Sequence, residues 1–426
     1  MNEGAALRRS VLNFFAIDSI ETLSGVREEV WAKTLPWLDR SGLALPLAAR
    51  FEALRPNTSV PRRITAALRL RLRDNHLRMQ RMLDFLHQAT RALNRSGARY
   101  CYVKGFSLIP DCFDGIRERH QVDLDFLVAR EGLVAARRAI ESLGYRLQYA
   151  SSSGEVRFIK PWERHIAAGG YLYQLPEAPP IELHAGIWEA SDDEVEFPSL
   201  STYPDAPELH EVCGVEFPRL QPTHHFIYLL LHIFRHVLGS WTRLLSLYEV
   251  AAFIRARRGQ EHLWADVAQL IRSDERLSSV CALIFGLVDL AFPLDLPDPL
   301  EDIYSRNLSP ESALWLDICG ARWLLAEHPG NKLNLIVQKQ FWTDGAMWRQ
   351  YLRRRLLPVR PLPNLSDEAV ESTRRTLAYR AEEIRYQVGR VWYHLKSDAT
   401  YLAALLRWIR SRRLDGRSMY QTANGL

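Results

Sequence analysis

Cysteine is scarce and unpatterned in this chain: Cys101, Cys112, Cys213, Cys281 and Cys319 are scattered, odd in number and form no CxxC pair. That excludes a disulfide framework or a zinc ribbon as the organising feature and makes a reducing cytoplasm the expected setting. No apolar run reaches bilayer length. The longest, Val280 to Leu294, is interrupted by Asp289 and is expected to be a buried helix. The opening residues, MNEGAALRRSVLNFFAIDS, lack an apolar stretch with a small-residue cleavage site, so no secretory signal is expected. A GxxxxGK[ST] loop, a Ser-His-Asp or Cys-His order and an HExxH pair are all missing, which leaves P-loop, triad and zincin chemistry without residues to rest on. Internal repeats and long low-complexity segments are also absent.

What remains is a folded chain of 426 residues, 47% hydrophobic, long enough for two or three structural units around a substantial core. Its formal charge of +5 is mild. It suits an anionic ligand such as a nucleotide, and it permits nucleic acid without pointing to it.

Residues 1–97 read as a helical N-terminal region, ending in a stretch from Arg62 to Arg95 with apolar residues every three or four positions and Gly97 as the stop. The arginines of that stretch (Arg69, Arg71, Arg73, Arg78, Arg81) read as a solvated helix face. Residues 98–220 read as an α/β core. Strands are expected at Tyr100 to Val103, Val122 to Val128, Tyr145 to Ala150, Glu155 to Ile159, Tyr171 to Gln174 and Ile181 to Ile187, with short helices at Gly105 to Phe113 and Glu131 to Leu143. Glu189 to Glu211 reads as a long acidic loop and Val212 to Phe217 as a hairpin arm. Helical periodicity returns in a helical domain, 221–345, and a basic helical C-terminal region, 346–426, with a solvated surface. The expected class is α+β: a small mixed sheet between a helical N-terminal region and a large helical C-terminal half.

The chemistry is concentrated in YCYVKGFSLIPDCFDGIRERHQVDLDFLV. Alternation along its last strand puts Asp123 and Asp125 on one face. Two carboxylates side by side among apolar residues are costly unless a cation joins them, and hard oxygen ligands suit Mg²⁺ or Mn²⁺. Phosphoryl and nucleotidyl transfer use such a pair to hold ions that orient a triphosphate. Glu182, flanked by apolar residues in Pro-Ile-Glu-Leu-His, is the candidate third acid, ahead of Asp192, Asp193 and Glu194 in the acidic loop. Upstream, Lys104, Gly105 and Ser107 occupy a strand-to-helix turn whose backbone N–H groups can hold a phosphate.

These residues resemble the bacterial uncharacterised nucleotidyltransferase family of the polymerase-β-like superfamily. The match is carried by VKG at Val103 to Gly105, VDLDFLV at Val122 to Val128, the segment Ile181 to Trp188, and the histidine-bearing helix Leu229 to Ala251. The resemblance implies a small mixed sheet flanked by helices, Asp123 and Asp125 as metal ligands, Glu182 in the third-acid position, and an NTP as co-substrate. The superfamily's turn is commonly Gly-Ser or Gly-Gly, whereas Gly105 is followed by Phe106, and the family often has Asp where this chain has Glu249.

Arg117, Arg119 and His120 precede the acidic strand and are candidate triphosphate contacts, with Arg235 and Arg243 on the helical half. His184 shares a strand face with Glu182, and His232 and His236 lie one helical turn apart; with Arg243 they are candidate substrate contacts. Trp188, Trp241 and Trp264 are candidates for stacking on a base, against a purely structural role. The expected activity is metal-dependent transfer of NMP from an NTP to a small-molecule or peptide acceptor, releasing pyrophosphate. Two other readings stand beside it: a non-catalytic nucleotide-binding scaffold on a decayed fold, and a nucleic-acid-binding protein that uses the basic C-terminal tail.

Overall fold

A computed structural model describes residues 3–17, 20–54, 60–150, 155–161, 171–174, 178–188, 195–200, 203–204, 206–240, 243–327, 332–357 and 377–423. The protein is α+β, 67% helical with a mixed sheet. Its N-terminal helices are α1 (Glu3–Ile17), α2 (Glu28–Ser41), α3 (Ala44–Leu54) and the long α4 (Arg62–Ser96). The periodic stripe of α4 explains its length: Ile64, Leu68, Leu72, Met79, Leu86 and Leu93 all face the core, each worth about 1.5–3 kcal/mol on burial. Gly97 ends it at φ +71°, with its N–H donating back to the Asn94 carbonyl, a conformation that favours glycine.

The strands are β1 (Tyr100–Val103), β2 (Leu124–Val128), β3 (Arg146–Ala150), β4 (Val156–Ile159), β5 (Ile181–His184), β6 (Glu208–Val212) and β7 (Val215–Arg219), with α5 (Leu133–Glu141) between β2 and β3. Among the described residues they form one seven-stranded sheet in the order β3-β4-β5-β2-β1-β7-β6. The pairs β2–β5 and β1–β7 are parallel, and the others antiparallel. β1, β2 and β5 are buried along their whole length, as central strands covered on both faces must be.

Sequence periodicity and structure part company in several places. Strand β2 begins at Leu124, so Asp123 is its entrance rather than its interior. The expected helix from Gly105 to Phe113 is a single 3₁₀ turn, Gly105–Leu108, followed by turns. Residues 171–174 form a turn and not a strand: the Gln174 N–H bonds back to the Tyr171 carbonyl at 3.1 Å, and the Tyr171 and Tyr173 hydroxyls bond Asp74 and Asp39 of the N-terminal helices. The acidic loop ends earlier than expected: β6 starts at Glu208 and pairs with β7 through a tight turn in which Cys213 and Gly214 both have positive φ, the twist a two-residue hairpin requires. Asp192, Asp193 and Glu194 lie outside the described residues.

The C-terminal half comprises α6 (Pro222–Gly239), α7 (Leu244–Ala256), α8 (Glu261–Arg272), α9 (Glu275–Ala291), α10 (Asp298–Asn307), α11 (Pro310–Trp315), α12 (Ala321–Leu324), α13 (Leu335–Gln338), α14 (Gly345–Leu356) and α15 (Leu377–Ala423). The expected buried helix at 280–294 is most of α9, whose apolar residues are almost all fully covered. The basic C-terminal helix is less polar than a solvated face: Ile384, Val388, Val391, Leu395 and Leu402 are exposed along one side of α15, while Tyr401 and Ala404 on the other are buried. Among the described residues no helix is long and apolar enough to cross a membrane.

Candidate active site

Pairing in register brings the acids together. Asp125 on β2 lies opposite Glu182 on β5, and Leu127 opposite His184, so the alternating faces that carry Asp125, Glu182 and His184 coincide. The three side chains are 3%, 8% and 4% exposed. His184 Nε2 is 3.4 Å from Asp125 Oδ1 and 3.8 Å from Glu182 Oε2. Asp123 stands just outside this group, at the strand entrance, and its carboxylate makes no ion pair among the described residues.

Two cations enter from neighbouring strands. Lys104, immediately after β1, puts Nζ 3.0 Å from Asp125 Oδ1. Its backbone adopts φ 59°, ψ −162°, a region that non-glycine residues seldom occupy and that stores strain of roughly 1–3 kcal/mol. The other is Arg157 of β4, directly opposite Glu182 in the antiparallel register, with Nη1 2.7 Å from Glu182 Oε1. Sequence reasoning passed over Arg157. Its signal is the alternation Val156-Arg157-Phe158, which turns the arginine to the face opposite its apolar neighbours, but only the strand register shows which acid it meets.

The turn after Lys104 differs from a phosphate cradle. Gly105 has φ +53°, and a Cβ there would collide with the Gln121 amide and the Tyr102 hydroxyl. Gln121 Nε2 donates to Tyr102 OH at 2.5 Å and to the Asp123 carbonyl at 2.8 Å. Glycine is therefore needed so that Gln121 can brace the entrance of β2. Ser107 is fully buried, donates to the Lys104 carbonyl at 2.6 Å and lies 3.3 Å from His225 Nε2, so its hydroxyl is closed off.

The loop arginines are engaged elsewhere. Arg117 pairs with Glu52 of α3 at 2.9 Å and turns away from the acids. Arg119 is buried and pairs with Glu249 of α7 at 2.7 Å, although its charge still reaches Asp123. Arg243 precedes α7 and makes no ion pair among the described residues, yet it is electrostatically coupled to both Arg119 and Asp123. His232 and His236 meet edge to face with ring centroids 4.2 Å apart on α6, and the Lys104 charge acts on both. Trp188 donates to the Val195 carbonyl and packs on Phe197 and Phe234, and Trp264 is 1% exposed with its N–H on the Arg257 carbonyl. Both are core residues and not base-stacking platforms, while Trp241 lies outside the described residues.

Charge is shared unevenly among the acids. Burial pushes the Glu182 carboxyl up, and Asp125 and Asp123 add to it, bringing it to about 8. Burial and Asp125 also raise Asp123. Burial alone would raise Asp125 too, but the Lys104 ammonium and the His184 imidazole more than offset it and hold Asp125 below the usual carboxylate range. The Arg157 contact does not reverse the direction at Glu182, since burial and the charges of Asp125 and Asp123 outweigh it. Burial, with the Lys104 charge, drives His236 down to about 3 and His232 well below its ordinary value, so both imidazoles are neutral.

Asp125, Glu182 and His184 each offer a ligand atom, all within 4.8 Å of one another, the one such group among the described residues. Two carboxylates and a ring nitrogen, buried together, form a donor set that fits a divalent cation.

Residues 27–289 match the model of a family described as uncharacterised nucleotidyltransferase. No curated protein matches the sequence. Among solved structures, that of the antibiotic-resistance factor ANT(2'')-Ia is similar over 45% of this chain and 91% of that one, at 13% identity and a TM-score of 0.30.

Proposed function

From the premise that this chain belongs to the uncharacterised nucleotidyltransferase family, we propose that it transfers a nucleoside monophosphate from an NTP to an acceptor hydroxyl in a metal-dependent reaction. The observation that carries this is the facing pair Asp125 and Glu182 with His184 beside them. Asp125, Glu182 and His184 would hold the ion, with Asp123 at the rim; Mg²⁺ and Mn²⁺ both suit the carboxylates, and the imidazole favours Mn²⁺. Such an ion supplies orientation of the triphosphate and charge stabilisation during displacement.

The acceptor oxygen bonds to the α-phosphorus as the bond to the bridging oxygen breaks, and pyrophosphate departs with that electron pair. With the ion bound, the Glu182 proton is displaced and its carboxylate is placed to help take the acceptor's proton. Lys104 holds Asp125 ionised and adds positive charge beside the phosphates. Within this reading, residues 98–220 form the catalytic core, 1–97 and 221–345 wall it with helices, and 346–426 is a basic appendage. The acceptor is a small molecule or peptide bound against the helical half.

The sealed Ser107 and the Lys104–Asp125 pair favour one competing reading, a scaffold that binds nucleotide without turning it over. Pyrophosphate release measured with each NTP and Mg²⁺ or Mn²⁺ across candidate hydroxyl acceptors separates the two. Turnover abolished by Asp125→Ala supports the enzyme, and NTP binding without turnover on any acceptor supports the scaffold. A nucleic-acid partner would instead show affinity that falls steeply with salt and survives the loss of the acids.

A further inference from the structure

Arg78 is the most anomalous charge in the molecule outside the acidic group. It lies on α4, 4% exposed, among arginines whose sequence pattern looks like a solvated face. Its neighbours in that stretch behave as such a face should: Arg69, Arg73 and Arg81 are exposed, and Arg71 is half-buried and bound to Asp39. Arg78 has no carboxylate partner among the described residues. Its Nε is buried without a hydrogen bond, and the one hydrogen bond its guanidinium makes among the described residues is a weak one of 3.8 Å from Nη1 to Met79 Sδ.

The position of Arg78 is fixed by its own helix. One turn earlier, Asn75 Nδ2 donates to the carbonyls of Arg117 at 2.9 Å and Arg119 at 3.1 Å, tying this face of α4 to the loop that runs into Asp123. Residues three apart share a helix face, so Arg78 is turned to the same loop. Across it stands Arg243, also without an ion-pair partner among the described residues, at the start of the helix whose Glu249 holds Arg119. The charge of Asp123 acts on all three guanidinium groups, Arg78 of α4, Arg119 of the 117–121 loop and Arg243 just before α7, and Glu249 is ion-paired to Arg119. Burial and repulsion from Arg243 pull the Arg78 guanidinium down to about 10, against the opposing pull of Asp123 and, more weakly, of the Tyr173 hydroxyl. His120, buried beside them on the Leu172 carbonyl, is neutral and brings no negative charge.

A buried cation without a partner is strongly unfavourable. A chain that keeps Arg78 buried and Arg243 half-buried beside a carboxylate, neither with an ion-pair partner among the described residues, expects an anion to complete the group. We propose that Arg78 and Arg243 form an anion subsite that grips the β- and γ-phosphates of the nucleotide, on the opposite side of Asp123 from the Asp125–Glu182–His184 group. The planar guanidinium fork suits two phosphate oxygens at once, which a lysine cannot reproduce. This deepens the nucleotidyltransferase reading and rests on it for the identity of the anion. It also replaces the buried Ser107 turn as the place where the polyphosphate tail is held.

The test uses the full-length protein with inorganic pyrophosphate, orthophosphate and ATP as probes, in EDTA, followed by calorimetry and thermal unfolding. Pyrophosphate and ATP should bind and raise the Tm, whereas orthophosphate, too short to span both forks, should bind more weakly. Arg78→Gln, Arg78→Lys and Arg243→Gln should each weaken pyrophosphate binding by about tenfold to a hundredfold, the loss expected for charge-assisted hydrogen bonds. Without ligand, Arg78→Met should raise the Tm, because it removes an uncompensated buried charge; a guanidinium serving only the fold would lower it. Asp125→Asn should leave metal-free pyrophosphate binding intact. Unchanged pyrophosphate affinity in folded Arg78→Gln and Arg243→Gln, or a lower Tm in Arg78→Met, overturns the subsite while leaving the acidic centre standing. Turnover that survives Asp125→Asn removes the nucleotidyltransferase reading even if the anion still binds.

Discussion

Asp125 and Glu182 stand directly opposite each other on parallel strands β2 and β5, and each carboxylate is met by a cation from a different strand, Lys104 at 3.0 Å and Arg157 at 2.7 Å. The sheet thus brings together two buried acids, a third at the rim and two balancing charges before any ligand arrives. Because Lys104 and Arg157 neutralise the acids only in part, the group is held at a tension that a divalent cation would relieve.

Removing one of the balancing cations exposes that tension. Lys104→Met leaves Asp125 buried without its ion-pair partner and should destabilise the metal-free protein by about 3–5 kcal/mol. Unfolding by denaturant in EDTA measures the loss, and added Mn²⁺ should recover part of it. An unchanged midpoint would mean that Lys104 does not hold the aspartate.

The ionisation of Glu182 sets a pH dependence with a definite sign. Its carboxyl is raised from 4.5 to about 8, so the folded state keeps this proton more tightly than the unfolded chain. The metal-free protein accordingly has this contribution in full below 4.5 and loses it as the pH rises toward about 8. Mn²⁺ competes with the same proton, so its affinity should climb with pH and level off above about 8. Glu182→Gln should weaken binding and flatten that climb when affinity is followed by Mn²⁺ electron paramagnetic resonance.

The glycine turn makes a steric prediction. Gly105→Ala places a methyl group against the Gln121 amide and the Tyr102 hydroxyl at a positive φ, where an L-residue already costs roughly 1–2 kcal/mol. The double variant Gly105→Ala with Gln121→Ala should recover part of the loss in a thermal melt, since the collision is with that amide. Strict additivity of the two changes would show that they do not touch.

Acid stability depends on histidines buried neutral. His225 is 1% exposed and lowered from 6.5 to about 3 by burial and by Arg219. Its contribution to stability is therefore present above 6.5 and is lost as the pH falls toward about 3, because the unfolded chain takes up the proton first. In His225→Gln, unfolding free energies measured across this range should fall less steeply, by about one proton.

Much of the acidic centre is visible in the sequence, because strand alternation is local. Asp123-Leu124-Asp125 and Glu182-Leu183-His184 each show their shared face from spacing alone, and the apolar flanks of both mark central strands. What spacing cannot show is which strands become neighbours. Arg157 meets Glu182 only through the antiparallel register of β4 and β5, and Arg119 is drawn to Glu249 on a helix 130 residues further on. Arg78 illustrates the same limit on a helix. Its stripe of arginines is indistinguishable by pattern from a solvated face, and nothing in that pattern shows that Asn75, one turn earlier, ties this part of α4 to a loop about forty residues away. The turn at Tyr171 to Gln174 has strand-like composition, but its backbone closes locally, from the Gln174 N–H to the Tyr171 carbonyl, while its two tyrosines reach the N-terminal helices.

The most direct measurement of the central claim is pyrophosphate release from NTP with Mn²⁺ and a panel of hydroxyl acceptors, comparing the unaltered protein with Asp125→Asn and Glu182→Gln. The facing acids on β2 and β5 require that release depend on Mn²⁺ and fall by at least about a hundredfold in each variant, the size of loss typical when a group stabilising the transition state is removed. Release that proceeds equally well in both variants would contradict the assignment of the active centre to these two residues.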